Sequence, residues 1–187
     1  VEMAKRYNVN LEVLSSFVRK PGTKVKEVTK MEQTKISGIA KDTNVARIAL
    51  IGVKDEPGVA FKVFRVLAKQ KINVDIILQS NGHDETQDIS FTVAKNDMEE
   101  ATAALREQQD IIGFRDLSVT DKIAKVSMVG AGMVNSSGVA VQMFEALYAA
   151  KINIHMISTS EIKVSVLVNE SEADRAIQAI HAKFFET

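Results

Sequence analysis

Gly58-Val-Ala-Phe-Lys-Val-Phe-Arg-Val-Leu-Ala-Lys-Gln-Lys-Ile-Asn-Val-Asp-Ile-Ile-Leu78 decides the fold because it recurs. The stretch from Gly138 to Ser158 matches it at a constant offset of 80, with nine of the 21 positions identical. Just upstream, Ala46-Arg-Ile-Ala-Leu-Ile-Gly52 matches Ala124-Lys-Val-Ser-Met-Val-Gly130 at an offset of 78, so the second copy has a loop two residues longer. The chain is a duplicated module.

Each copy reads in the same order. A short apolar segment bounded by glycine predicts a buried strand, and a helix follows the loop. Ala60, Val63, Phe64 and Leu67, repeated as Ala140, Met143, Phe144 and Leu147, fall at i, i+3, i+4 and i+7, the stripe of one helix face. After Lys71-Ile-Asn and Lys151-Ile-Asn come second strands. Third strands follow, in which Ile89, Phe91 and Val93, and Val164, Val166 and Val168, alternate with their neighbours. Asp97 with Glu100, and Ser171 with Asp174, have the spacing of capping pairs that start a second helix. Gly113 then stops the first copy's helix, and Phe114 to Val119 supplies a fourth strand, completing an α+β, ferredoxin-like βαββαβ unit. The second copy ends on a helix and lacks that strand. Asn10 to Phe17, with Leu11, Val13 and Phe17 at even spacings, is expected to complete its sheet, while Ile36 to Ala40 adds an edge strand to the first module. The expected domains are therefore 36–120, and 9–18 plus 121–187.

The chemistry is restrictive. The chain has 187 residues, 45% of them hydrophobic, enough to bury a core. Its 24 basic and 24 acidic residues cancel, removing the phosphate attraction that nucleic-acid or membrane-surface binding draws on. An RNA-binding version of this fold would also need exposed aromatics, and there are only eight Phe and two Tyr. An acylphosphatase-type enzyme would need an arginine in the first loop, where Lys54 is the only base. With no cysteine there is no disulfide or thiolate chemistry, and a cytoplasmic location is expected. The histidines 83, 155 and 181 are too scattered for a metal pair or a nucleophile-activating arrangement. Gly130-Ala-Gly-Met-Val-Asn135 hints at a dinucleotide fingerprint, but its third glycine is out of place. No cofactor, metal or catalytic residue is expected.

Two loops, Gly52 to Ala60 and Gly130 to Ala140, join a strand to a helix whose first amides are donors suited to a carboxylate. Gly58 and Gly138 allow close backbone approach, Asp55 can receive an ammonium, and Gln79 can bond a hydroxyl or carboxylate. A plain capped turn explains the same residues.

Asp55-Glu-Pro-Gly58, Gly130-Ala-Gly-Met133, the twin Ile-Asn-Val-Asp and Ile-Asn-Ile-His strands, and Ile157-Ser-Thr-Ser-Glu-Ile-Lys-Val-Ser-Val166 resemble the regulatory part of aspartate kinase, a tandem of amino-acid-sensing ACT domains. The resemblance extends to Ser15-Ser-Phe17 and Pro21-Gly-Thr23. It implies feedback inhibition by end-product amino acids, threonine or lysine, of a kinase that phosphorylates the aspartate side chain with ATP. The implied effector site comprises Asp55, Gly58, Val59, Ala60, Gln79, Asn153 and Ile154. A second would draw on Asn73, Val74, Met133, Gly138, Val139, Ser160 and Glu161. His155 departs from the family's carboxamide or carboxylate, and from Asp75 in the first copy. Nothing resembles the kinase's Lys-Phe-Gly-Gly-Thr start, so no phosphoryl transfer is expected of this chain alone. A homodimer and association with a catalytic chain or domain are implied; the alternative is a stand-alone sensor regulating another enzyme.

Overall fold

The computed structural model describes residues 3–4, 7, 9–18, 20–25, 36–82, 85–130 and 138–186. The chain forms two units, Val1–Thr34 and Lys35–Thr187. In the first, β1 (Leu11–Val13) and β2 (Thr23–Val25) pair antiparallel, Leu11 opposite Val25. This hairpin leaves Val13, Leu14 and Phe17 exposed.

The second unit contains β3 (Gly38–Asp42), β4 (Ala46–Lys54), α1 (Val59–Lys69), β5 (Val74–Asn81), β6 (Thr86–Val93), α2 (Met98–Glu107), α3 (Gln109–Ile112) and β7 (Asp116–Thr120). There follow β8 (Ile123–Val129), α4 (Val139–Ala149), β9 (Met156–Ser160), β10 (Lys163–Asn169) and α5 (Ala173–Phe185). Two four-stranded antiparallel sheets result, ordered β5-β6-β4-β7 and β3-β8-β10-β9. The helix stripes cover them as the i, i+3, i+4 spacing requires: Val59, Val63 and Leu67 bury in one core, and Val139, Met143, Ala146 and Leu147 in the other.

One strand assignment is corrected. The second sheet is completed by β3, which pairs with β8 from Gly38↔Val129 to Asp42↔Lys125, and residues 9–18 belong to neither four-stranded sheet. Accordingly, Ile36 to Ala40 is no edge of the first module. The physical reason lies in side-chain burial. Ile36 is buried in the second core and Ile39 packs against it, whereas Val13 and Phe17 are exposed and Leu11 is occupied with β2. The first module's strands thus lie in sequence between β3 and β8 of the second sheet. The sheets are linked twice, through 43–45 and through 121–122.

The capping pairs are also corrected. Asp97 stands before α2 and Glu172 before α5, neither with a side-chain cap bond. Each helix is instead entered through a 3-10 turn, Lys95–Asp97 and Glu170–Glu172, which begins the winding without a cap. Gly113 does end α3, at φ 79°.

Candidate functional site: strand-to-helix loops at the outer ends of two joined sheets

Leu50 pairs with Ile89, then the register of β4 against β6 shifts before Val53 meets Gln87. Gly52 at φ 64° makes this bulge, and its N–H donates to Asp88 Oδ1 at 2.8 Å. Beyond it, the Asp55 amide donates to the Glu85 carbonyl at 3.0 Å, holding the loop to the start of β6. Glu56 pairs with Lys62 at 2.7 Å, and this hydrogen bond holds the carboxylate below its usual range. Gly58 then takes φ 93°, a left-handed conformation that glycine adopts readily, and a Cβ there would meet nothing within 4 Å. The backbone surface at the helix start is open to a small ligand. Val59 is buried, which anchors the helix beneath; Ala60 is half-buried and Asp55 exposed.

Gln79, exposed on β5, donates to the side-chain carbonyl of Gln87, whose amide donates to the Lys54 carbonyl at 3.5 Å. Gln87 is 3% exposed and is the residue the sequence reading missed. Its signal was present: 87, 89, 91 and 93 alternate, so Gln87 continues the inward face of Ile89, Phe91 and Val93 as its one polar member. Asp55, Gly58 and Gln79 therefore share one end of the first sheet.

The second module repeats the helix start, with Gly138 at φ 93°, open beyond its Cα, and Val139 buried. Ser160 and Glu161 lie exposed at the β9–β10 turn, where the Gly130 amide donates to the Ile162 carbonyl at 2.9 Å. They share the end of the sheet from which the 130–138 loop departs. Met133 and His83 lie outside the described residues.

Asn73, Val74, Asn153 and Ile154 lie at the other ends of the sheets. Lys71 and Lys151, at φ 60° and 55°, turn the chain out of each helix, and the Ile72 and Ile152 amides return to Leu67 and Leu147 at 3.0 and 2.9 Å. Asn73 and Asn153 are exposed, while Val74 and Ile154 pack against their cores. This is the end at which the modules join. Val45, Ile76, Ile123, Met156 and Leu167 form one cluster across the junction. From there to Lys54 runs the nine-residue β4, a span of about 25 Å at ~3.3 Å per residue. Within one chain, Asp55 and Asn153 are separated by most of that length.

Ion pairs frame the junction. Lys125 Nζ lies 2.5 Å from Asp75 Oδ2 and 3.4 Å from Asp42 Oδ2, and Lys95 lies 3.1 Å from Glu170. The Lys125 hydrogen bond holds the Asp75 carboxyl below its usual value. Burial pulls the Lys125 ammonium down, but the Asp75 hydrogen bond and the two carboxylate charges outweigh it and raise it. A lowered carboxyl stabilises the fold above its ordinary value of 3.8, and that contribution is lost as pH falls through the still lower folded value. Asp75→Asn is therefore expected to lower stability by about 1 kcal/mol or less at pH 7, the pair being partly exposed. The gap from the parent should close below about pH 3.8 in urea titrations at stepped pH.

Among the described residues no group of three or more His, Asp or Glu could hold a metal ion, and no helix is long and apolar enough to cross a membrane.

An ACT domain family model matches residues 48–109 and 126–184. Aspartate kinase of Pseudomonas putida is 48% identical over 98% of this chain, which spans 45% of that relative's length. The crystal structure of aspartokinase alpha and beta subunits contains a chain 46% identical, with a TM-score of 0.75, covering 80% of this chain and 98% of its own. The ligand-free regulatory subunit of aspartate kinase from Thermus thermophilus is 39% identical, with a TM-score of 0.76, over 80% of this chain and 99% of its own. With its two sheets, repeated strand-to-helix loops and likeness along nearly its whole length, the chain belongs to the ACT domain family, in the tandem arrangement shared with aspartate kinases.

Proposed function

We propose that this chain senses end-product amino acids, threonine first and lysine second, and transmits their binding to an aspartate kinase catalytic domain as feedback inhibition of aspartate phosphorylation. The observation that carries the reading is the convergence of Asp55, the left-handed Gly58 and Gln79 at one end of the first sheet. The helix-start amides receive the carboxylate, Asp55 the ammonium, and Gln79 the side-chain hydroxyl. The Gln79–Gln87–Lys54 chain fixes the amide that reads the ligand.

Asn153 and Ile154 complete the site only from a second copy, because the length of β4 separates them from Asp55 in one chain. The working assembly is therefore a homodimer in which each first module faces a partner's second module. A coupling of about 1 to 3 kcal/mol between effector-bound and catalytically active states suffices for inhibition.

Calorimetry tests the site. Asp55→Ala and Gln79→Ala are each expected to weaken threonine binding about tenfold or more, the loss of one hydrogen bond to a charged or polar group. Melting of unliganded Asp55→Ala should stay nearly unchanged, since that side chain is exposed, whereas Gln79→Ala also takes the donor from buried Gln87 and should melt slightly lower. Parent-like affinity in both variants places the site elsewhere.

A further inference from the structure

The two modules meet about a pseudo-two-fold axis. Val45 and Ile123 are repeat equivalents, as are Ile76 and Met156, and all four pack in the junction cluster. Ile77 faces Phe91 as Ile157 faces Val166, so β6 and β10 correspond at an offset of 75. Lys95 and Glu170 are then equivalents too, and they contact each other, as residues on such an axis must. Every cross-module contact should have a counterpart on the other side.

The Lys125 cluster has a counterpart of altered chemistry. Arg47 replaces Lys125, His155 replaces Asp75, and Thr120, paired with Arg47 on β7, replaces Asp42, paired with Lys125 on β3. The cation is kept and both carboxylates are gone. Arg47 has no ion pair among the described residues, and its Nε is buried without a hydrogen-bond partner. A buried, unpaired guanidinium N–H is costly, and a carboxylate is the acceptor whose geometry fits it. His155 is held by Nε2 at 2.8 Å from Asn169 Oδ1, and the Asn169 amide is itself held by Glu172 at 2.8 Å, so the ring is already oriented.

We propose that Arg47, His155 and Thr120 form a binding site for a small dicarboxylate at the module junction, its carboxylates restoring to Arg47 the acceptors that Asp75 and Asp42 give Lys125. This site is separated from the ligand loops by the length of β4 and does not depend on threonine binding there. Occupancy would lock the two modules together as Lys125 does on the opposite side.

Succinate is the probe, titrated into the full chain at constant ionic strength by calorimetry and thermal melting, with acetate, phosphate and chloride in parallel. Saturable binding with a rise in melting temperature is expected for succinate, at least tenfold weaker in Arg47→Gln. His155→Asp places a carboxylate of the protein's own beside Arg47. It is expected to raise the melting temperature without ligand and to abolish the succinate response. The proposal is overturned by an absent or non-saturable response in the parent, by binding unchanged in both variants, or by phosphate or chloride matching succinate. Threonine binding unaltered by Arg47→Gln is the expected control.

Discussion

Deleting residues 36–42 is expected to unfold the second module and to cost the chain several kcal/mol, a large part of the ~5–15 kcal/mol that holds a domain together. The deletion removes β3, which supplies one whole edge of the second sheet and all five of its pairings with β8. It also removes Ile36, 4% exposed, whose burial contributes about 1.5–3 kcal/mol, and half-buried Ile39, which contributes less, from the second core. The Lys41–Asp174 and Lys125–Asp42 pairs go with it. Urea denaturation followed by circular dichroism should show loss of cooperativity or a much lower midpoint. Deleting residues 1–18 is expected to leave that transition largely in place, because every strand of both four-stranded sheets remains. Equal loss in the two deletions would contradict the assignment of β3.

Leu167→Ala carries the second large effect. Leu167 is fully buried, in the cluster that joins the modules, and its carbonyl accepts from the His155 amide at 2.8 Å. Truncating a leucine in such a place costs about 2–5 kcal/mol, transfer and cavity contributions together. For a chain of this size that is a fall in melting temperature of roughly 5–15 °C. Since Val45, Ile76 and Ile123 lose a shared neighbour, the damage reaches both modules, and calorimetric scans should show the transition broadening or splitting. A fall of less than about 2 °C would mean the junction contributes little to stability, and a route for effector signals between modules would have to be sought elsewhere.

Local regularities were legible because they are written in short spacings. The offset of 80 exposed the duplication, the i, i+3, i+4 stripes gave α1 and α4, and alternation gave β6 and β10. The glycines before each helix were legible as well, since a left-handed residue at a strand-to-helix turn is most readily glycine. The Gln79–Gln87 bond was not, because it joins residues of different strands through a register that a bulge in β5 adjusts.

By itself, then, the sequence determined that two similar βαββαβ modules form, which faces of their helices turn inward, and that thiol chemistry is absent. It also determined that one fourth strand must come from outside the second repeat. Tertiary structure alone decided which segment that is. Asn10 to Phe17 and Ile36 to Ala40 both read as short strands, and the choice rests on whether Ile36 and Ile39 or Val13 and Phe17 find an apolar surface. It also decided the junction, where Lys125 meets Asp75 across 50 residues of sequence while Arg47 has no ion pair among the described residues. Contacts of that range depend on how two sheets are brought together, and no spacing along the chain encodes them.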